Sequence, residues 1–383
     1  MIPFDFQPRT RLVFGPGKIE ELGQLASELG ARRALVVSDP GVIAAGHAAR
    51  GIQSLVRAGI ETHLFGGLHE NPTTDDVDAG VKVAKRYDPE VLIGLGGGSS
   101  MDCAKGINFV YTNGGQIKDY WGTGKALKAM LPMIAVPTTA GTGSETQSFA
   151  LISDAVTHVK MACGDPKAAF RMAILDPELT LTQPPRVTAL TGIDAISHAV
   201  ETFVTTRRNP LSIAFSLEAW RLLGSNFARV LEEPQDLQAR GSMLLGASFA
   251  GLAIENSMLG ATHALANPLT TAYGITHGQA IGVMLPHVVR FNGEAVDGMY
   301  MEMIGASNGT LDFLHSHASV AGLADFLTIL ATEAGLVARL RELGVKESRL
   351  PALAASAAKQ WTAGFNPRPV AESDLLALYQ AAY

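Results

Sequence analysis

Cysteine is scarce in this chain: Cys103 and Cys163 are the only two. That excludes a disulfide framework and a zinc knuckle built from thiolates. Charge is sparse as well, at 17% of residues, and leans acidic, with a formal net charge of −6. A nucleic-acid backbone calls for a basic face, so no nucleic-acid partner is expected. No apolar run approaches the roughly 20 residues of a membrane span, so no membrane partner is expected either. The opening stretch, MIPFDFQPRTRLVFGPG, lacks the basic start and apolar centre of a secretory signal. Together these absences favour a soluble, reducing, cytoplasmic setting. Neither an internal repeat nor a low-complexity tract interrupts the chain. What is abundant is apolar surface: 47% of 383 residues are hydrophobic, enough for a large core and for two or three domains.

The first half alternates between two periodicities. Residues 11–14, 34–37, 62–65, 91–95, 133–136 and 172–175 read as short apolar strands. Residues 18–29, 41–58 and 74–86 carry apolar side chains at helical spacing between them. This rhythm predicts a parallel α/β sheet. Residues 149–176 read as further strand and loop. Beyond Pro184-Pro185 the spacing becomes mainly helical, with long stretches near 194–205, 210–231, 237–257 and 320–343. A boundary there gives domains of 1–185 and 186–383.

Two loops in the first half are rich in hydrogen-bond donors. Gly96 to Gly106 reads GGGSSMDCAKG between a strand and a helix. Glycines there let a ligand approach the backbone, and the helix N-terminus behind them favours an anion. The same glycines also suit a tight turn with no ligand. The strict dinucleotide fingerprint is not met, because Ser99 stands where its last glycine would be. Pro137 to Glu145 reads PTTAGTGSE and follows another strand, as a second donor-rich loop or an ordinary polar one. Two such loops together suit a pyrophosphate. Asp39 closes the strand ALVV, where a carboxylate can accept both ribose hydroxyls and repel a 2′-phosphate, which favours NAD over NADP. Asp39-Pro40 is equally the start of a helix, with Asp39 as its cap.

In the second half, Asp194 and His198 stand four apart in GIDAISHAVE. On a helix they share one face, as half of a metal site or as a simple hydrogen-bonded pair. His263 and His277 lie in a later stretch, LGATHALANPLTTAYGITHGQAIGVMLPH, and would complete a set of one oxygen and three nitrogens. Such a set suits a divalent cation, with Fe(II) and Zn(II) both compatible. His287 reads as a packed side chain, and His315 and His317 as surface or structural ones.

These motifs, with LDPEL at 175–179, resemble the iron-containing (group III) alcohol dehydrogenases of the wider dehydroquinate synthase-like fold. The resemblance runs from the FGPG near Gly15 to Asn366-Pro367-Arg368. It implies a Rossmann-like α/β dinucleotide-binding domain, an all-α C-terminal domain, a cleft between them and a homodimer. It implies Asp194, His198, His263 and His277 as ligands of Fe(II) or Zn(II). It also implies NAD contacts from Asp39, Asn71, Gly97, Gly98, Ser99, Thr138, Thr139, Lys160 and Leu179, the last near the nicotinamide. The implied reaction is hydride transfer between NAD and a small alcohol or aldehyde, with the cation acting as a Lewis acid on the substrate oxygen. Asn267 departs from the family, which commonly has a histidine there in the substrate cleft. Asn267 can hydrogen-bond but cannot titrate near neutral pH. Alternatives are a hydroxyacid–oxoacid transhydrogenase or related reductase, and a nucleotide-binding sensor without catalysis.

Overall fold

The computed structural model describes residues 3–307 and 311–383. Strands whose side chains are apolar on both faces cannot leave either face to water, so they collect in the middle of a parallel sheet. Among the described residues nine strands form: β1 (Arg11–Phe14), β2 (Arg33–Val37), β3 (Glu61–Phe65), β4 (Val91–Gly96), β5 (Gly122–Thr123), β6 (Met133–Pro137), β7 (Phe149–Ser153), β8 (Lys160–Gly164) and β9 (Met172–Leu175). Every residue of β4, β6 and β9 is buried. The six-stranded sheet runs β1-β9-β6-β4-β2-β3, with all its pairings parallel. The three remaining strands make a small sheet, β5-β8-β7, whose β7–β8 pair is the antiparallel hairpin within 149–176.

Five helices connect these strands: α1 (Leu22–Glu28), α2 (Pro40–Ala44), α3 (His47–Arg57), α4 (Thr74–Tyr87) and α5 (Gly98–Asn113). The helix expected over 41–58 is two helices. Gly46 adopts φ 83°, a left-handed geometry that ends α2 and restarts the chain as α3. From β2 the chain runs outward to β3, then crosses back past β2 to β4. The order therefore reverses between β2 and β4, the kind of switch point beside whose carboxyl ends open α/β sheets bind ligands. Asp39 follows β2, and the glycine-rich turn follows β4.

The residues divide into two compact units, Gln7–Gln183 and Pro184–Tyr383, the second joined by the residues through Phe6. Among the described residues the second unit contains no strand. Its helices are α6 (Pro185–Val204), α7 (Pro210–Glu232), α8 (Leu237–Glu255), α9 (Ala261–Tyr273), α10 (His277–Gly305), α11 (Asp312–Ser316), α12 (Val320–Glu333), α13 (Leu350–Ala357) and α14 (Glu372–Ala381). Their starts are legible in local chemistry. Asn209 accepts from Leu211 and Ser212 amides with Pro210 behind it, Asp236 accepts from Gln238 and Ala239, and Ser319 from Gly322. The stretch expected over 320–343 stops early, because Gly335 turns left-handed at φ 68° after Glu333 and only a short 3-10 turn, Leu340–Leu343, follows. The expected fold class, a parallel α/β domain followed by a helical one, is what forms.

Asp76 ties the loop ahead of α4 to that helix. Its carboxylate accepts from the Thr73 amide and hydroxyl, at 2.8 and 2.9 Å, and from His69 Nδ1 at 2.8 Å. Burial pushes its pKa up, but the Thr73 amide, His69 and the Thr73 hydroxyl outweigh that and hold it below the ordinary value. A depressed carboxylate stabilises the fold above its unfolded pKa of about 4, and that contribution is lost as pH falls through the folded value. Asp76→Asn should therefore unfold at lower urea than the wild type at pH 7, with the gap closing below about pH 4 as the wild-type carboxylate protonates. Urea denaturation across that range reads the difference; a gap constant with pH would contradict the assignment.

Candidate metal centre

Helix α6 is buried along most of its length, and three of its polar side chains share a face: Asp194, His198 and Glu201. Spacings of four and three residues bring them to one side of the helix. His263 comes from the first turn of α9, and His277 is the first residue of α10. Gly278, next to it, sits so close to α6 that a Cβ would lie 2.2 Å from the Leu190 carbonyl oxygen. The bare backbone there lets the start of α10 reach α6.

Three of the four expected ligands, Asp194, His263 and His277, form one close group, and His198 lies beside Asp194 and His263. Asp194 Oδ1 lies 3.5 Å from His198 Nε2, 3.5 Å from His263 Nε2 and 3.7 Å from His277 Nε2. Ligand atoms of Asp194, His263 and His277 all fall within 4.8 Å of one another. His198 Nε2 and His263 Nε2 face each other at 3.2 Å. Asp194, His198 and His263 are buried, and His277 is half-buried.

The electrostatics are those of a place built for positive charge. Burial pushes the Asp194 carboxyl up, yet His198, His277 and His263 outweigh it and hold it well below the usual carboxylate range. Burial pushes the His263 imidazole down, and Glu201 followed by Asp194 raise it instead, to about 9. Asp194 Oδ1 is buried and accepts no hydrogen bond. A buried carboxylate oxygen without a proton donor is costly unless something cationic faces it. One oxygen and three imidazole nitrogens around that point fit a divalent cation.

Glu201 is the residue that sequence reasoning passed over. Its Oε2 accepts a short hydrogen bond from His263 Nδ1, and its Oε1 accepts from the Gly260 and Thr262 amides at 3.2 and 2.7 Å. With Nδ1–H committed to a carboxylate, His263 points its Nε2 toward Asp194, where it carries a proton in the charged imidazole and would offer a lone pair to a cation that displaced that proton. The signal was present in GIDAISHAVE, where Glu201 lies three residues after His198 on the same helical face.

The other expected site residues fall into the first unit, apart from Asn267. Gly97 caps α5, and Gly98 and Ser99 open it. The two donor-rich loops touch: the Thr138 amide donates to the Gly96 carbonyl at 3.0 Å, and a Cβ on Gly97 would lie 3.4 Å from the Thr139 side chain. The Asn71 amide donates to Ser99 Oγ at 3.1 Å, with Asn71 itself in the left-handed region at φ 55°. Asp39 caps α2, accepting from the Val42 amide at 3.0 Å, while its Oδ2 accepts from Ser100 Oγ at 3.2 Å. Lys160 is exposed at the start of β8, opposite Ser153. Leu179 sits in the apolar core of the unit, 1% exposed. Asn267, one turn after His263, donates from Nδ2 to Gln360 Oε1 at 3.0 Å. His317 stacks on Phe313 at 4.5 Å. His287 is half-buried on α10.

An α/β unit with a glycine-rich strand–helix turn, in one chain with a helical unit that gathers a carboxylate and three imidazoles, has the make-up of a nucleotide-dependent, metal-assisted oxidoreductase. Comparison with known proteins narrows this class. Residues 8–177 match the family model described as iron-containing alcohol dehydrogenase, and residues 188–383 match that of the Fe-containing alcohol dehydrogenase family, C-terminal. The chain belongs to the iron-containing alcohol dehydrogenase family. Alcohol dehydrogenase 4 of Schizosaccharomyces pombe is 35% identical over 373 residues, covering 97% of this chain and 87% of that protein. The NAD-dependent methanol dehydrogenase of Bacillus methanolicus is 32% identical over 370 residues, covering 97% of each. A crystal structure of a 1,3-propanediol oxidoreductase matches with a TM-score of 0.95 at 33% identity, covering 100% of both chains. Among the described residues no helix is long and apolar enough to cross a membrane.

Glu201→Gln keeps an acceptor for the Gly260 and Thr262 amides but offers His263 Nδ1 an amide in place of a carboxylate oxygen. Cation affinity, measured by competition with a chelator, should fall about 10- to 100-fold. Unchanged affinity would show that Glu201 does not orient His263.

Proposed function

We propose that this chain moves hydride between NAD and a small alcohol or aldehyde, with a divalent cation held by Asp194, His198, His263 and His277. The observation that carries the reading is the buried Asp194 Oδ1, which accepts no hydrogen bond while three imidazole Nε2 atoms lie at 3.5 to 3.7 Å. A cation bound there would supply Lewis-acid polarisation of the substrate oxygen, and bound NAD would supply the hydride acceptor. Fe(II) is our first assignment and Zn(II) the second, since the donor set accommodates both.

The chain's own residues do the remaining work. Glu201 holds His263 in the tautomer that leaves Nε2 free to ligate. Burial of Asp194, His198 and His263 keeps competing water away. Asn267 stands one turn from His263, and we assign it to the substrate side. Its carboxamide exchanges no proton near neutral pH, so it binds and orients but relays nothing.

For NAD we propose Asp39, Asn71, Gly97, Gly98, Ser99, Thr138, Thr139, Lys160 and Leu179, making residues 1–185 the dinucleotide-binding domain and 186–383 the metal- and substrate-binding one. The support is topological. Asp39 and the 97–99 turn follow the two strands between which the order reverses, and the amides at the start of α5 favour a phosphate. The Asp39 carboxylate disfavours a 2′-phosphate, hence NAD over NADP. A homodimer accords with the family, and a cytoplasmic setting accords with two buried free cysteines. A monomer mass by light scattering would refute the first, and secretion of the tagged native chain the second.

Metal-free protein should lose NAD-linked turnover and regain it on anaerobic loading with Fe(II) or Zn(II). His198→Ala should lose bound metal and at least about 100-fold in kcat/KM. Full activity without metal would sink the mechanism.

A further inference from the structure

The segment Asn366-Pro367-Arg368 has no part in the ligand set, yet it reaches the base of the helix that carries His263. We infer that Asn366 is a positioning residue for the cation centre; this rests on the reading of that centre given above.

A helix leaves its first amides without intrahelical acceptors. Helix α9 begins after Gly260, which has no side chain to receive them. Two distant residues do so instead. Glu201 Oε1 takes the Gly260 and Thr262 amides, and Asn366 Oδ1 takes the Ala261 amide between them, at 3.2 Å. Glycine at 260 leaves room for both oxygens: a Cβ there would lie 3.0 Å from Asn366 Oδ1 and 3.2 Å from Glu201 Oε1, so it would crowd both acceptors. The amide that Asn366 holds is two residues before His263.

Asn366 is itself fully constrained. Its Nδ2 donates to Asn292 Oδ1 at 2.7 Å and to the Arg368 carbonyl at 2.7 Å. Its Oδ1 also receives Asn292 Nδ2 at 3.1 Å. Two donors and two acceptor sites are thus all used, and the carboxamide cannot turn without breaking several bonds. Asn366 and Asn292 are 3% and 1% exposed, so water cannot replace these partners cheaply. Further out, Arg368 donates to the Phe291 carbonyl at 2.9 Å, lies over the Phe291 ring and pairs with Glu294. Asn366 therefore shares with Glu201 the task of setting how far α9 advances, and so where His263 Nε2 stands against Asp194.

The test uses the full chain loaded with Co(II), whose visible absorption reports ligand geometry. Affinity comes from chelator competition. Asn366→Ala should weaken Co(II) by about 10- to 100-fold and shift its absorption band. Arg368→Ala, which loosens the segment away from α9, should leave both unchanged. An Asn366→Ala protein with the wild-type band and affinity overturns the inference. So does an Arg368→Ala protein that loses as much, since the effect would then belong to the segment and not to the carboxamide. If Asn366→Ala does not fold, Asn292→Ala decides, because it removes two of the bonds that hold Asn366. A several-fold loss with a shifted band supports the inference, and an unchanged band and affinity overturns it. Wild-type protein that binds no Co(II) at all brings down the cation centre itself, and this inference with it.

Discussion

A buried carboxylate oxygen that no proton donor satisfies is the constraint around which the helical unit is arranged. Burying Asp194 Oδ1 without a hydrogen bond costs free energy, and the three imidazoles facing it supply the positive charge that offsets that cost and keeps the carboxylate ionised. The surroundings are ordered so that positive charge stays there. Helix α6 is buried on nearly all sides along 192–204, which holds its polar face rigid. Glu201 fixes a tautomer, and glycine at 278 lets another helix start against the α6 backbone. Each feature is minor alone, and together they hold four side chains from three helices around one point.

The first unit solves a different problem with backbone geometry. Its strands place two donor-rich turns and a carboxylate at the edge where the strand order reverses. Ser100 joins Asp39 to the start of α5, and Thr138 joins the second loop to Gly96. Behind the turns, Lys105 is wholly buried, donating to the Ser144 carbonyl and hydroxyl and to the Phe149 carbonyl at 2.8 to 2.9 Å. All three protons of this buried ammonium are occupied, which ties α5 to the second loop and to β7, and the Asp102 carboxylate 3.9 Å away pairs its charge.

Much of this was legible in the residues, and the rest was not for identifiable reasons. Asp194 and His198 could be read because helical spacing is a local property. His263 and His277 could be joined to them from the sequence only as candidates, since nothing local links positions so far apart, and it was the resemblance that made them the implied ligands. Glu201 was readable by the same spacing and was overlooked, because a glutamate near the end of a helix usually faces water. Asn366 carries no local signal at all: its role exists only once α9, α10 and the C-terminal segment meet. Asp39 permitted two readings, and the structure displays the cap directly, with one oxygen on the Val42 amide and the other on Ser100. The breaks at Gly46 and Gly335 were misjudged because apolar periodicity continues across a glycine that the backbone uses to turn.

The pairing of β1 with β9 bears on how the chain is made. Arg11 lies beside Met172, so the earliest-made strand of this sheet waits for the latest-made one before it has a neighbour. Closing so long a loop is slow relative to local helix formation. Until then β1 has unpaired backbone, and β6 has one open edge. Early in biosynthesis this α/β unit is therefore most exposed to mispairing with another nascent chain, and a chaperone that covers strand edges would matter most in that interval.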